Sequence, residues 1–194
     1  MDYAWYLFGF KGRLNRANVW LALPIILCLM MLLAILAMTL SKLFGGPKSI
    51  SINIGDIFGL LDPEAYRSLS AVSLGQAVIK AIGTSLFLWI YLAIAIKRLH
   101  DRNKSAWWVM LFFVFPGLFD QFADRLGDSY PMMLVGLASL VFCVWAFIEL
   151  LFLKGTTGTN RFGADPLAPV DTRPPWDQQS EIEMVPHKAG PPPV

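Results

Sequence analysis

Residues 19–40 read VWLALPIILCLMMLLAILAMTL, a run of 22 residues without a charged side chain. A membrane-crossing helix needs roughly 20 apolar residues, since each residue advances about 1.5 Å through about 30 Å of hydrocarbon. Pro24 lies one turn inside the stretch, where neighbouring helices in a membrane satisfy the carbonyl that it frees. The stretch therefore predicts a transmembrane helix.

The rest of the chain repeats this pattern of apolar runs separated by charged clusters. Hydrophobic residues make up 56% of the chain and charged residues 15%, against about 45–50% and about 25% in soluble domains. Residues 74–96, 106–123 and 131–153 complete four predicted spans. The weakest is 106–123, because its apolar part, residues 106–119, is short enough to be a re-entrant segment or a buried helix and reaches spanning length only by including Asp120. The predicted fold class is an all-α, polytopic four-helix transmembrane bundle.

The flanking segments differ in composition from the predicted transmembrane domain, residues 19–163. Residues 1–18 are rich in aromatic side chains and predict a segment that lies in the membrane interface. Residues 62–64, Asp-Pro-Glu, predict a helix start ahead of the second span. Residues 164–194 hold eight of the thirteen prolines and predict a disordered, Pro-rich cytoplasmic tail.

The Lys and Arg positions predict how the chain is oriented, because cytoplasmic loops carry an excess of basic residues near span ends. An N-in, C-in arrangement places nine basic residues inside: Lys11, Arg13, Arg16, Lys97, Arg98, Arg102, Lys104, Lys154 and Arg161. It places five outside, on longer segments: Lys42, Lys48, Arg67, Lys80 and Arg125. The N-in, C-in arrangement is therefore predicted.

Neither composition nor cysteine spacing indicates nucleic acid, a metal or a cofactor. The formal net charge is only +2, and no basic stripe with interleaved aromatic residues occurs away from the predicted membrane flanks. Cys28 and Cys143 lie in apolar runs without a second Cys or His at metal-ligand spacing. We expect both to be small core residues.

Three polar motifs stand at the predicted cytoplasmic ends of the spans. The first contains Phe10, Gly12, Arg13, Arg16 and Trp20. The second contains Arg98, Leu99, His100 and Asp101, followed by Ser105, Trp107 and Trp108. The third contains Gly158, Asn160, Arg161, Phe162, Gly163, Asp165 and Pro166.

These ordered motifs resemble those of small bacterial inner-membrane proteins catalogued as domain of unknown function 805. The resemblance covers about residues 5–166 and departs at a few positions. Arg102 and Asn103 stand where an apolar residue and glycine are common, Ala106 where glycine is common, and Phe162 where tyrosine is common. The resemblance implies a multi-pass fold in the bacterial inner (plasma) membrane, but it implies no activity.

The predicted topology gathers the three motifs at one mouth of the bundle. Arginine offers planar, forked donors to phosphate or carboxylate, and Asp101 is a natural partner for one of them. Two interpretations follow: a pocket for an anionic lipid headgroup or small phosphate ligand, or internal Arg–Asp pairing that fixes topology and locks loops. The candidate ligand-binding residues are Arg13, Arg16, Arg98, His100, Asp101, Asn160 and Arg161.

Two further ionisable groups raise the possibility of chemistry. His100 adjoins Asp101, but no nucleophile, metal-ligand set or Gly-rich phosphate loop accompanies them, so no catalytic residue is predicted. Glu149 lies inside the fourth predicted span, about 6 Å from its inner end at about 1.5 Å per residue. We expect it to pair with Arg98, with proton or ion transport as the alternative.

The sequence thus predicts a non-enzymatic membrane scaffold or sensor-like module. Its basic cytoplasmic face is expected to bind anionic lipid headgroups or a partner protein, either another protein or a second copy of the chain. The alternatives are a small transporter or permease subunit, and an enzyme that acts on a lipid-linked phosphate.

Overall fold

The computed structural model describes residues 3–43, 54–59, 61, 71–127 and 129–169, and every regular element in these ranges is helical. The helices are α1 (Tyr3–Phe8), α2 (Arg16–Leu43), α3 (Asp56–Gly59), α4 (Ala71–Asp101), a π-helical segment (Met110–Val114), α5 (Phe115–Leu126) and α6 (Tyr130–Leu151). The predicted all-α class is confirmed over these residues. The predicted helix start at residues 62–64 and residues 170–194 of the predicted tail lie outside the described residues.

Three helices of the described chain are long and apolar enough to cross a membrane: Arg16–Leu40, Val78–Asp101 and Tyr130–Leu151. The weakest predicted span, residues 106–123, falls on the π-helical segment and α5. Helix α5 carries Asp120, Asp124 and Arg125, which reduce its apolar character. The four-span count and the N-in, C-in orientation therefore stay predictions, as do the predicted segment boundaries.

The start of α2 meets the ends of α4 and α6. The Leu14 N–H, just before α2, donates to the Lys97 carbonyl at 3.1 Å, and Trp20 Nε1 donates to the Leu151 carbonyl at 3.1 Å. Helix α2 therefore runs opposite to α4 and α6. We call this end of the bundle, where α2 begins and α4 and α6 finish, the polar end.

The π-helical segment and α5 run back along α6 from the polar end. Trp108 contacts Trp145 with ring centroids 5.3 Å apart, and further along, Phe115 contacts Phe142 at 5.6 Å. From the first contact to the second, the residue number rises from 108 to 115 in this run and falls from 145 to 142 in α6, so the two are antiparallel. This run therefore returns the chain to the opposite end, where α6 begins.

Pro116 accounts for the π-helical segment, which the sequence analysis did not predict. A proline has no N–H, and in an α-helix its ring crowds the carbonyl four residues earlier, here that of Phe112. The helix widens ahead of the proline, so that the Phe115 N–H donates to the Met110 carbonyl, five residues back. The helix thereby continues past the proline.

Buried apolar side chains concentrate near the polar end in two clusters. One contains Tyr6, Leu14, Val19, Ala22, Ile90 and Ile94, and the other contains Leu99, Val109, Phe112 and Ala146. Away from this end, α3 packs on α4 and α5. A Cβ on Gly117 would lie 2.0 Å from the ring of Phe58, and Lys80 Nζ lies 3.0 Å from Asp56 Oδ2.

Large apolar side chains also cover the outside of the spans, as a lipid environment requires. Both Cys28 and Cys143 are exposed, so the prediction that they are core residues is wrong. The reason is that lipid tails are as apolar as a protein core, and an apolar run therefore does not distinguish inward from outward positions.

Candidate functional site

Asp101, the last residue of α4, stands between two arginines at the polar end. Its Oδ1 lies 3.2 Å from Arg13 Nε and 3.1 Å from Arg13 Nη2, while its Oδ2 lies 2.5 Å from Arg98 Nη1. The side chains of Arg13, Arg98 and Asp101 are only 1%, 0% and 3% exposed. Such burial is tolerated because each charge is paired and hydrogen-bonded.

The turn after α4 fixes Asp101 in this position. Asn103 has φ 56°, the left-handed conformation that asparagine adopts more readily than most residues. The Lys104 N–H donates to the Leu99 carbonyl at 2.8 Å, and the Asn103 N–H donates to the His100 carbonyl at 3.0 Å. This is a Schellman motif, which ends the helix and satisfies its last carbonyls.

Arg13 ties the first motif to the third as well as to Asp101. Its Nη1 donates to the carbonyls of Gly158 at 2.6 Å and Gly163 at 3.3 Å, and its Nη2 donates to the Thr156 carbonyl. Gly12, just before it, has φ 93°, a conformation that favours glycine. One guanidinium therefore joins the residues before α2, the end of α4 and the loop after α6.

The loop after α6 is folded against α4 by backbone and side-chain bonds. The Thr156 N–H donates to the Asp101 carbonyl at 2.8 Å, and Asn160 Nδ2 donates to the His100 carbonyl at 2.9 Å. A Cβ on Gly155 would lie 2.0 Å from Asp101 Oδ2, so only glycine permits this approach.

A second turn of the same loop is organised by Asp165. Its carboxylate accepts the N–H of Gly158 at 2.8 Å and that of Leu167 at 2.9 Å. These backbone donors favour the ionised form, and they lower the pKa of Asp165 below its usual value. The acid of the third motif therefore holds its own loop.

His100 is engaged in packing as well as in hydrogen bonding. Its Nδ1 lies 3.3 Å from the Gly12 carbonyl, and its ring stacks on that of Phe162 at 3.9 Å between centroids and 9° between planes. The Arg161 guanidinium lies 4.7 Å from the Phe162 ring centroid, and its Nη2 donates to the Asn103 carbonyl at 3.0 Å. The ring of His100 thus helps to hold the third motif.

Side chains from other elements also bind five consecutive carbonyls at the end of α6. Arg98 donates to Leu150 at 3.0 Å and to Leu153. The remaining three bonds are Trp20 to Leu151 at 3.1 Å, Arg16 to Phe152 at 3.4 Å and Arg102 to Lys154 at 2.7 Å. The last carbonyls of a helix lack partners within it and carry partial negative charge, so guanidinium groups suit them.

Glu149 pairs with different residues from the one predicted. Its Oε1 lies 2.8 Å from Arg102 Nε and 2.9 Å from Lys104 Nζ, and its side chain is buried. The prediction that it pairs with Arg98 is wrong, because Arg98 is held by Asp101 three residues away on the same helix. Both partners of Glu149 lie beyond the end of α4.

Lys97 is a structural residue that the sequence analysis counted only as a topology signal. Its side chain is buried, and Nζ donates to the carbonyls of Trp5 and Tyr6 at 2.7 Å each and lies 4.6 Å from the Trp5 ring centroid. The Tyr6 hydroxyl donates to the Asn18 carbonyl, and burial raises the pKa of Tyr6. Helix α1 is therefore clamped to α4 and α2. No pattern in the sequence distinguishes Lys97 from the flanking cations.

The structure brings five of the predicted site residues into one hydrogen-bonded cluster: Arg13, Arg98, His100, Asp101 and Asn160. Arg16 and Arg161 lie at its exposed edge. Throughout the described part of the chain, every buried side-chain nitrogen and oxygen has a hydrogen-bond partner, and no group of His, Cys, Asp and Glu could hold a metal. Ligand binding by these residues stays a prediction.

These features define a class: an integral membrane protein whose helices are tied together at one end by buried arginine–carboxylate contacts. The sequence profile of the family described as protein of unknown function (DUF805) matches residues 7–164, and the chain belongs to that family. The resemblance seen in the three motifs is thereby confirmed.

Two curated relatives give the family a location. Inner membrane protein YhaH of Escherichia coli (strain K12) is 25% identical over 169 residues, which cover 84% of this chain and 95% of the relative. Inner membrane protein YhaI of the same strain is 33% identical over 76 residues, 39% of this chain and 42% of the relative. No solved structure matches the chain. The predicted location in the bacterial inner membrane is confirmed.

Proposed function

We propose that the protein is a non-enzymatic membrane scaffold whose polar end is a rigid, basic platform for anionic lipid headgroups. The observation that carries this proposal is the burial of Asp101 between Arg13 and Arg98. Both arginines bond to groups inside the protein, which favours the interpretation that internal Arg–Asp pairing locks the loops. Headgroup contact is left to the exposed cations around the cluster, which are Lys11, Arg16, Lys154 and Arg161.

The proposal includes four membrane crossings with both termini in the cytoplasm. The antiparallel course of the π-helical segment and α5 along α6 supports a fourth crossing. An even number of crossings places the two termini on one side, and the excess of Lys and Arg at the polar end favours the cytoplasm. The platform then faces the anionic inner leaflet.

The two alternative functions have less support. Transport through Glu149 is disfavoured because one of its oxygens already contacts both Arg102 and Lys104. Acid–base chemistry at His100 is disfavoured because its ring is stacked on Phe162 and its Nδ1 lies against a backbone carbonyl. If the protein carries a flux in proteoliposomes that Glu149→Gln abolishes, the transport function would be favoured instead. If it turns over a lipid-linked phosphate and His100→Ala abolishes that turnover, the enzyme function would be favoured.

Lipid competition tests the platform. The purified full chain in detergent is titrated with phosphatidylglycerol and with phosphatidylcholine, and bound lipid is counted by native mass spectrometry. We expect a preference for phosphatidylglycerol that Lys154→Gln weakens about fivefold, since a surface cation contributes about 1 kcal/mol to binding of anionic lipid.

The matched control is Lys42→Gln, which removes an exposed lysine at the last turn of α2, away from the polar end. It should leave the preference unchanged, while the double variant Lys11→Gln/Lys154→Gln should weaken it roughly thirtyfold. Equal binding of the two lipids by the unmodified chain would overturn the proposed function.

A further inference from the structure

An elongated apolar cavity of about 410 Å³ lies between α2, α4 and α6. Its lining residues fall within residues 19–30, 87–98 and 143–151 of these helices, together with a few from other elements. Leu23 and Phe147 line the cavity and are also exposed, so the cavity reaches the surface of the bundle between α2 and α6. It therefore opens toward lipid.

The cavity begins at the polar end and extends about one leaflet deep. Val19, Arg98 and Leu151 line it where α2 begins and α4 and α6 finish. From residue 19 to residue 30, α2 advances about 16 Å, since each residue rises about 1.5 Å. Half of a hydrocarbon core about 30 Å thick is about 15 Å. The depth therefore matches a single leaflet.

A cation stands beside the polar end of the cavity. Arg16 lies one turn before Val19 on α2, is exposed, and makes one long bond within the described residues, 3.4 Å from Nη1 to the Phe152 carbonyl. The guanidinium has five N–H donors, so most of them remain available. Trp20 next to it is exposed and donates to Leu151, which suits the depth of a headgroup.

We propose that this cavity holds one acyl chain of an anionic phospholipid, with the lipid phosphate against Arg16. The inference rests on the proposed function and adds to it the place where the lipid tail is bound. Water does not suit the cavity because, among its described lining residues, Arg98 is the only charged one and each of its three nitrogens already donates a bond. Left empty, the lining would forgo its dispersion contacts.

A single hydrocarbon chain suits the cavity in shape and chemistry. The lining is apolar, it reaches the surface between α2 and α6, and its depth matches one leaflet. A chain enters from that side without displacing packed residues. A second copy of the protein at this face is the alternative that the experiment below distinguishes.

The two exposed cysteines provide a matched pair of variants. Cys143→Trp places a large ring in the cavity that Cys143 lines, whereas Cys28→Trp makes the same change at an exposed site outside the lining. Native mass spectrometry of the full chain with phosphatidylglycerol should show at least tenfold less bound lipid for Cys143→Trp, and no change for Cys28→Trp. Arg16→Gln should also weaken the retention of phosphatidylglycerol, and more than that of phosphatidylcholine, whose choline cation offsets its phosphate.

Phosphatidylglycerol with a photoactivatable diazirine in the middle of one chain gives a test on the unmodified protein, which does not depend on the folding of any variant. Cross-linked peptides should cover residues 87–98 and 143–151 rather than residues 31–36 on the outer surface of α2. Even labelling of these regions, or equal retention by the two cysteine variants, would overturn the cavity assignment. If phosphatidylglycerol is still preferred over phosphatidylcholine in that case, the proposed platform stands. A loss of dimer mass in Cys143→Trp would instead identify a second copy as the occupant.

Discussion

The polar end and the membrane-embedded part of the bundle are held together in different ways. At the polar end, Arg13 and Arg98 bond to Asp101 and to carbonyls of α6 and the loop after it, so that directional bonds join three separate segments. In the embedded part, α5 and α6 meet through aromatic rings, and the cavity between α2, α4 and α6 leaves part of the interior unfilled by protein. This difference indicates that directional bonds at the polar end specify how the helices are arranged, whereas apolar packing in the embedded part constrains them less.

The largest expected effect comes from breaking the polar end at its centre. Asp101→Asn keeps the side-chain size but leaves two buried guanidinium groups without their counter-charge, which costs about 3–5 kcal/mol. The free energy of unfolding in detergent should fall by that amount, as followed by circular dichroism. Asp124→Asn, at an exposed position near the opposite end, is the control and should change stability by less than about 0.5 kcal/mol. Equal stability of the two variants would contradict the comparison.

Gly155→Ala tests how closely the loop must approach the same carboxylate. The added Cβ would stand 2.0 Å from Asp101 Oδ2, so the loop or the buried carboxylate must move, at a cost of about 1–3 kcal/mol. Hydrogen exchange should rise in residues 155–163 as well as at the end of α4. Thr157→Ala, at an exposed position of the same loop, should leave both unchanged. Unaltered exchange in Gly155→Ala would show that the contact is not constraining.

Glu149→Gln should have a smaller effect than either change. Its partners Arg102 and Lys104 are partly exposed, so water can replace the lost carboxylate, and we expect a loss of about 1 kcal/mol. A double-mutant cycle with Lys104→Gln checks the pairing, because the coupling energy should be of similar size. A loss as large as that of Asp101→Asn would place Glu149 in the same rigid cluster.

The smallest effect concerns pH and is confined to the third motif. The pKa of Asp165 is lowered in the folded loop. Its contribution to the stability of the loop is therefore fully present above the unfolded pKa of about 3.9 and is lost as the pH falls through the folded pKa. Amide protection of Gly158 and Leu167, corrected for intrinsic exchange, should be constant from pH 7 to pH 5 and decline in the acid range below. Asp165→Asn should remove this pH dependence, and a decline near pH 6 would point to another group.

The course of the chain could be largely predicted from composition, because charge and apolar length are local properties. The uncharged run at residues 19–40 predicted most of α2, and the basic residues placed the three motifs at one end, where contacts such as Arg13 to Asp101 unite them. The third run, residues 106–123, was weak in the sequence because it reaches spanning length only by including Asp120, and it is likewise not among the helices apolar enough to span.

Which charged side chains pair with one another could not be predicted from the sequence. Arg98 pairs with Asp101 on its own helix, while Glu149 pairs with Arg102 and Lys104, which flank the left-handed turn at Asn103. The exposure of Cys28 and Cys143 was equally hidden, since lipid and protein core select the same residue types. Contacts between distant segments decide these features, and a single sequence does not record them.

The five carbonyls at the end of α6 also bear on how the protein is made. Synthesis proceeds from the N-terminus, so Arg16, Arg98 and Arg102 leave the ribosome before residues 150–154, which supply their acceptors. The bonds from these arginines to the end of α6 can therefore form only after residues 150–154 have been made. Complete closure of the polar end therefore follows the synthesis of α6, and a chain truncated before residue 150 lacks these five acceptors.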